Sequence, residues 1–197
     1  MDKEQNRLWT VPFILVLFVN ALNGISSYMV NPAMPEFLVS KGIPFALTGL
    51  ISSLLSWVAL AMRPFSGAMS DRFNKKKIMF VSYLATAACM LGYALVQKSA
   101  AVIGVRILHG VAFAVSGTIS MVFATSFVPE KRIAEGISYI GIASLLGTMI
   151  GPQLGSSISQ QLGMRNLFLT AGGLCLICLL MIVVIPYQFV EQKGKRA

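Results

Sequence analysis

LFLTAGGLCLICLLMIVVIPYQF, residues Leu167–Phe189, is a long apolar run without a charged side chain. A helix of about 20 residues crosses a hydrocarbon core of roughly 30 Å, so this stretch is long enough to span a membrane. Five runs of similar length precede it, and each is predicted to form a transmembrane helix. The predicted spans are Thr10–Val30, Phe45–Ser66, Ile78–Gln97, Ala101–Phe127, Ile133–Gln160 and Leu167–Phe189.

The composition also indicates a membrane protein. Of the 197 residues, 56% are AVILMFWYC and 12% are DEKR, whereas a soluble chain has roughly 25% charged residues. Six spans of about 20 residues nearly fill the chain, which leaves no room for a separate soluble domain. We therefore predict an all-α membrane protein with a transmembrane domain at 10–190 and polar tails at 1–9 and 191–197.

The distribution of basic residues predicts the orientation. Eleven lysines and arginines fall on one side of the predicted membrane, and three, Lys41, Lys98 and Arg165, fall on the other. The positive-inside rule then places both termini in the cytoplasm, as expected for a multi-pass protein of the plasma membrane. The net charge of +9 is scattered between apolar runs, so nucleic acid is not an expected partner.

Side chains suited to covalent or metal chemistry are sparse. The three cysteines, Cys89, Cys175 and Cys178, lie inside apolar runs and are expected to act as small hydrophobes. One histidine without a carboxylate pair does not provide a metal or nucleophile site. We therefore expect no metal, no cofactor and no enzymatic activity.

Arg106 and His109 are charged and titratable side chains inside the fourth span. A guanidinium in hydrocarbon costs roughly 3 kcal/mol unless it is paired or hydrated. Arg106 therefore either faces a polar substrate cavity or reaches the nearby interface with its side chain. His109 is either a packing residue or a second functional group beside it.

Asn20 and Asn23 lie three residues apart, on one face of the first helix. Amides in hydrocarbon need partners, so this face should point into the bundle, where it either joins helices or lines a cavity. We count Asn31, just after this span, with the candidate cavity residues.

No carboxylate lies in the middle of a span. If the function of this membrane protein is coupled to protons, the titrating group is therefore His109, Glu36 on the outer side, or a residue outside this chain. The carboxylates lie in loops, tails or helix ends: Asp2, Glu4, Glu36, Asp71, Glu130, Glu135 and Glu191.

The segment 67–77 reads GAMSDRFNKKK. It resembles the signature loop of the major facilitator superfamily, Gly-x-Leu-x-Asp-Arg-x-Gly-Arg/Lys-Arg/Lys, in spacing and in location. In that family the loop is a gating element, and the resemblance implies that role for Gly67, Asp71 and Arg72.

The match has two departures. Met69 replaces the Leu of the pattern, which exchanges one apolar residue for another. Asn74 replaces the Gly, and because Asn tolerates a left-handed backbone we expect the tight turn to be kept.

Two further stretches are similar to motifs of the same family. Arg106 to Gly110 reads RILHG, similar to an Arg-x-x-x-Gly motif whose arginine is associated with proton coupling or substrate binding. Residues 147–156 read GTMIGPQLGS, similar to the motif of the drug/proton antiporter branch. Its glycines favour close helix contact and its proline permits a bend. The motif residues are Gly147, Gly151, Pro152 and Gly155.

The resemblance implies half of a twelve-helix transporter fold, made of two inverted three-helix repeats. Such a half needs a second six-helix half, from a separate chain, a homodimer or residues lost by truncation. The implied function is secondary transport of a small molecule, as proton-coupled efflux of drug-like or amphipathic compounds. The alternative is a non-transporting membrane protein that assembles with or regulates another transporter half.

Overall fold

The computed structural model describes residues 7–187. Within them the chain forms seven α-helices and a 3-10 turn at Glu130–Arg132, and six of the helices are long and apolar enough to cross a membrane. The predicted all-α fold with six spans is confirmed. The helices are α1 (Val11–Val30), α2 (Met34–Ser40), α3 (Phe45–Arg72), α4 (Lys75–Leu95), α5 (Ser99–Thr125), α6 (Ile133–Leu162) and α7 (Met164–Val184).

The structure differs from the predicted segments at several ends. The short helix α2 was not predicted. Helix α3 continues past the predicted end at Ser66 to Arg72, with Pro64 inside it. The predicted end of the last span at Phe189, residues 1–6 of the first tail and the whole of the second tail lie outside the described residues. The predicted domain limits therefore stay predictions.

The helix ends have local causes in the sequence. The Thr10 side chain accepts a hydrogen bond from the Phe13 N–H at 3.4 Å and caps α1, whose first turn also contains a proline. Between α6 and α7 the chain turns at a single residue, Gly163, with φ +85°. That left-handed conformation favours glycine, which lets two spans follow each other without a longer loop.

The six spans form two equivalent triplets in chain order, and the main contacts run between the triplets. In the first, α1, α3 and α4 follow one another, and in the second, α5, α6 and α7. The middle helix of each triplet packs on the first helix of the other, since α6 packs on α1 and α3 packs on α5. The contacts of α1 with α7 and of α5 with α4 are likewise counterparts, and α4 packs on α7. This pairing agrees with two inverted three-helix repeats.

The two middle helices share further features. Pro64 in α3 and Pro152 in α6 each lie nineteen residues after the first residue of their helix. These two helices are also the least buried spans of the described chain, whereas α5 is the most buried. The bundle therefore has a packed centre around α5 and open faces along its middle helices.

Candidate functional site

Arg106 lies inside the bundle, not at its surface. Its side chain is 2% exposed, and Nη2 donates a hydrogen bond to the Ser52 carbonyl oxygen of α3 at 2.7 Å. That oxygen can accept this bond besides the one within its helix, because a carbonyl has two lone pairs. The other two guanidinium nitrogens, Nε and Nη1, make no well-aligned hydrogen bond to the described residues, although the guanidinium also interacts electrostatically with the Tyr93 hydroxyl of α4. Its predicted cavity role stays a prediction.

His109 lies nearly one turn further along α5 and is 1% exposed. Its Nδ1 lies 3.4 Å from the hydroxyl of Tyr93 on α4. The Tyr93 ring packs in turn on Phe168 of α7, with a centroid distance of 5.2 Å. One face of His109 is therefore held by an aromatic cluster, while its Nε2 has no partner in the described part of the chain.

Asn20 is bonded within the bundle. Its Oδ1 accepts a hydrogen bond from Ser120 Oγ of α5 at 2.8 Å, and its Nδ2 donates to the Val16 carbonyl at 2.9 Å. Ser120 Oγ also lies 3.3 Å from the Tyr83 hydroxyl of α4. These contacts join three helices, which is the packing alternative for this residue.

Asn23 and Asn31 have different surroundings. Asn23 is partly buried, and its Oδ1 has no partner within residues 7–187. Asn31 caps the end of α1, where its carbonyl accepts the Met34 N–H at 3.3 Å. It lies eleven residues after Asn20, about 16 Å along a helix, so these two predicted cavity residues are not adjacent.

The unpartnered polar atoms concentrate on one side of the bundle. We call this the 31–44 side, where α1 ends and where α3 and α5 begin. Each residue concerned lies ten residues or fewer from its helix end on that side. Within the described chain, the buried side-chain atoms without a partner are Asn23 Oδ1, Ser27 Oγ, Ser52 Oγ, Arg106 Nε, Arg106 Nη1 and His109 Nε2.

We call the five residues that carry these six atoms the polar cluster, namely Asn23, Ser27, Ser52, Arg106 and His109. Buried polar atoms without partners are costly, and the positive guanidinium makes this group suited to a ligand with hydrogen-bond acceptors. Ser27 and Ser52 were not among the predicted site residues, because a serine in an apolar helix commonly bonds to a carbonyl of its own helix. Tyr93 was missed because a tyrosine near the end of a span is typical of the membrane interface.

The predicted gating residues are helical and do not form a loop. Gly67, Asp71 and Arg72 lie in the last two turns of α3, and only Phe73 and Asn74 connect α3 to α4. Asp71 and Arg72 are exposed. The predicted loop at this position is therefore wrong in its extent, because helix α3 continues through the small residues of the segment.

The left-handed turn expected at Asn74 is wrong. Its backbone is extended, at φ −61° and ψ 112°, and its side chain accepts a hydrogen bond from the Lys77 N–H at 3.2 Å. Asn is therefore the N-cap of α4, where its side chain satisfies a free backbone donor. The capping bond, and not glycine-like freedom, explains Asn at this position.

Two lysines after this cap connect neighbouring helix ends. Lys76 Nζ donates to the carbonyl oxygens of Val183 at 2.9 Å and Ile185 at 2.6 Å, at the end of α7. Lys75 Nζ donates to Ser126 Oγ at 3.3 Å, beyond the end of α5. A lysine side chain at the C-terminus of a helix bonds to carbonyl oxygens that have no partner within the helix, and its charge interacts favourably with the helix dipole. The start of α4 is thereby fixed to α5 and α7.

The glycines of the fifth span lie against α1. A Cβ built on Gly147 would come within 2.6 Å of Gly24 Cα, and one on Gly151 within 3.0 Å of the Ile25 carbonyl oxygen. A Cβ on Gly155 would overlap the Met29 carbonyl oxygen. The two helix backbones therefore touch, and the role of the motif in export, together with Pro152, stays a prediction.

Comparison with protein families gives one match that covers most of the chain. The family model described as Major Facilitator Superfamily matches residues 16–197. The chain belongs to this superfamily. The predicted membership of this superfamily is thereby confirmed, and it is a family of transporters and not of enzymes.

Curated proteins similar to this chain include multi-drug resistance efflux pumps and multidrug resistance proteins. The chain is 29% identical to the multi-drug resistance efflux pump PmrA of Streptococcus pneumoniae, over 92% of this chain and 46% of that protein. It is 27% identical to multidrug resistance protein 2 of Bacillus subtilis, over 90% of this chain and 44% of that protein. These relatives agree with the drug/proton antiporter branch, and the chain spans about half their length.

Solved structures show the same fold. A peptide transporter in complex with alafosfalin superposes with a TM-score of 0.80 at 17% identity, over 87% of this chain and 37% of that one. The human organic anion transporter TETRAN superposes with a TM-score of 0.73 at 21% identity, over 94% and 48%. The six spans therefore have the arrangement of one half of a larger transporter.

Metal binding has no support in the described residues. Between residues 7 and 187, no three His, Cys, Asp or Glu side chains lie close enough together to hold a metal ion. The expectation that no cofactor is needed stays a prediction.

Proposed function

We propose that this chain is one six-helix half of a secondary active transporter that exports small drug-like or amphipathic molecules across the plasma membrane. The observation that carries the proposal is the buried guanidinium of Arg106, with two unpartnered nitrogens in the polar cluster. A charged side chain inside a transmembrane helix is costly, so its presence there indicates a functional role. The similarity to efflux pumps supports drug-like substrates.

The second half is part of the proposal. The middle helices expose large apolar side chains, among them Trp57 at 69% and Met149 at 74%. In this superfamily the substrate lies between two halves that rock against each other, and the matched relatives are about twice as long. The second half is a further part of a longer chain, a separate chain or a second copy in the same orientation. We call the side of the bundle where Phe73 and Asn74 connect α3 to α4 the 73–74 side, and we place this basic side in the cytoplasm.

The driving force is proposed to be a proton gradient. Within the described spans no carboxylate lies near the polar cluster, so the candidates in this chain are His109 and Glu36, an exposed residue of α2. If one of them carries the proton, His109→Asn or Glu36→Gln abolishes pH-driven transport. If both variants transport normally, the proton carrier belongs to the other half.

The test is dye efflux from vesicles with an imposed pH gradient, after crosslinking has established which partner the chain assembles with. Arg106→Ala is expected to abolish efflux without changing membrane insertion. Arg63→Ala, which removes an exposed arginine of α3, is the matched control and is expected to keep efflux. Normal efflux by Arg106→Ala would remove this residue from the mechanism.

The same experiment distinguishes the alternative function. A chain that only regulates or assembles with another transporter half would crosslink to that partner, yet the efflux by the complex would be unaffected by Arg106→Ala. The absence of a mid-span carboxylate in the described residues is the observation that favours this alternative.

A further inference from the structure

An apolar groove of about 770 Å³ runs along the outside of the bundle, between the end of α3 and helix α4. Its lining includes Met69 and Leu108, and small side chains, among them Ala85, Ala88 and Ala112, form part of its floor. The groove lies where α3 and α4 both pack on α5 and several of the residues between them are small. It is separate from the polar cluster, none of whose members lines it.

The length of the groove matches one leaflet of a bilayer. Its lining on α4 extends from Lys77 to Cys89, twelve residues or about 18 Å along a helix. Half of the hydrocarbon core is about 15 Å thick. An acyl chain that enters at the 73–74 side would therefore reach the end of the groove near the bilayer centre.

The charge of the groove lies at one end only. Lys77 and Asn74 line it at the 73–74 side, at the level where lipid headgroups are expected. The neighbouring Lys75 and Lys76 donate to Ser126 and to the end of α7. The Lys77 side chain is exposed, and Asp71, the nearest carboxylate in sequence, does not line the groove.

We propose that this groove is a binding site for one anionic phospholipid of the adjacent leaflet. One acyl chain lies on the small residues of α4, and the phosphate binds Lys77. The arrangement favours a lipid over a helix of another chain, because an apolar groove with a cation at its headgroup end complements an acyl chain with an anion at its end. A net negative headgroup is favoured over a zwitterionic one, whose own cation competes with Lys77.

The test uses the full chain, purified and stripped of lipid in detergent. Native mass spectrometry follows the titration with dioleoyl phosphatidylglycerol or dioleoyl phosphatidylcholine. One saturable phosphatidylglycerol site is expected, with weaker binding of phosphatidylcholine. Lys77→Gln is expected to weaken phosphatidylglycerol binding about fivefold and to leave phosphatidylcholine binding unchanged. Lys131→Gln, at an exposed lysine of the same side, is the control and should change neither.

A second variant tests the acyl-chain part of the site. Ala88→Phe places a large ring on the floor of the groove and is expected to weaken the binding of both lipids, with helix content checked by circular dichroism. Glycerol 1-phosphate, which has the headgroup charge but no acyl chain, should not displace the lipid at equal concentration. If Ala88→Phe does not fold, the measurements with Lys77→Gln and with glycerol 1-phosphate decide whether the groove binds a phospholipid.

Three results would overturn the proposal. The first is equal binding of the two lipids together with no effect of Lys77→Gln. The second is displacement by glycerol 1-phosphate, which would indicate a phosphate site without an acyl chain. The third is a dimer that Ala88→Phe abolishes, which would make the groove a contact between two copies of the chain.

Discussion

The crossing of α6 on α1 and the crossing of α3 on α5 are counterparts in the repeat, but their contacts differ in kind. Where α6 meets α1, three glycines lie against backbone atoms of Gly24, Ile25 and Met29. Where α3 meets α5, one glycine, Gly110, lies against Val58, and the rest of the contact includes polar side chains.

This difference separates what the repeat determines from what the side chains determine. The inverted repeat decides which helices pair, and small residues are needed at both crossings because the backbones approach closely. The α3–α5 crossing also holds Arg106, whose bond to the Ser52 carbonyl leaves part of a buried charge unpartnered. The α6–α1 crossing is therefore a contact between backbones, whereas its counterpart also contains residues of the proposed binding site.

The largest effect is expected at the glycine crossing. Gly155→Ala places a Cβ on the Met29 carbonyl oxygen, and since this neighbour is backbone, the two helices must move apart. We expect a loss of about 3 kcal/mol in the free energy of unfolding, at the upper end for overpacking. The measurement is thermal unfolding in detergent. Gly141→Ala in the same helix, with open space at its Cβ, should be neutral or slightly stabilising.

A smaller loss is expected from Gly110→Ala at the other crossing. Its Cβ would lie 2.8 Å from Val58 Cβ and 3.0 Å from the Leu55 carbonyl oxygen. We expect a loss of about 2 kcal/mol, partly restored in the double variant with Val58→Ala because a side chain can be removed. Gly104→Ala, with open space at its Cβ, is the control. A loss at Gly104 equal to that at Gly110 would contradict the packing explanation.

Arg106→Met tests whether the polar cluster is retained for function. Because the side chain keeps its approximate volume and loses a partly unpartnered buried charge, we expect the free energy of unfolding to rise by about 1 kcal/mol. Arg63→Met, at an exposed position, should change it less. Thermal unfolding checks both, and a clear loss for Arg106→Met would show that the guanidinium is structural.

The smallest effect is expected at Ser66, whose Oγ donates to the Arg63 carbonyl of its own helix at 2.8 Å and lies 3.0 Å from Thr118 Oγ1 of α5. Ser66→Ala should cost about 0.6 kcal/mol, a typical value for a hydrogen bond between membrane helices. A double-mutant cycle with Thr118→Val isolates this bond. Ser53→Ala, which removes a bond to the carbonyl of Leu50 in the same helix, is the control, and no coupling in the cycle would refute the assigned bond.

The spans were predictable because the bilayer sets their length and composition. The ends of the spans were less predictable, because polar residues at the membrane interface can be helical or irregular. Helix α3, for example, continues past Ser66 to Arg72. Helix α2 has seven residues, too few for a periodic pattern. Asn74 was recognised as a turn residue, but its capping bond depends on backbone geometry that a motif does not specify.

The candidate site was predictable only in part. Arg106 and His109 stand out because charged and titratable groups are rare in apolar runs. Their partners, the Ser52 carbonyl and the Tyr93 hydroxyl, could not be found from the sequence, because these contacts join separate helices. Asn20 illustrates a different case: its amide suggested either a contact between helices or a cavity, and its Oδ1 accepts a hydrogen bond from Ser120 Oγ inside the bundle.

The backbone contact between α1 and α6 also affects leakage. With Gly147 and Gly155 against backbone atoms of the opposite helix, few side chains lie between the two backbones that could move apart and admit water. We therefore expect this seam to resist leakage of protons and ions. A carrier that works against a gradient depends on such insulation as much as on its binding site.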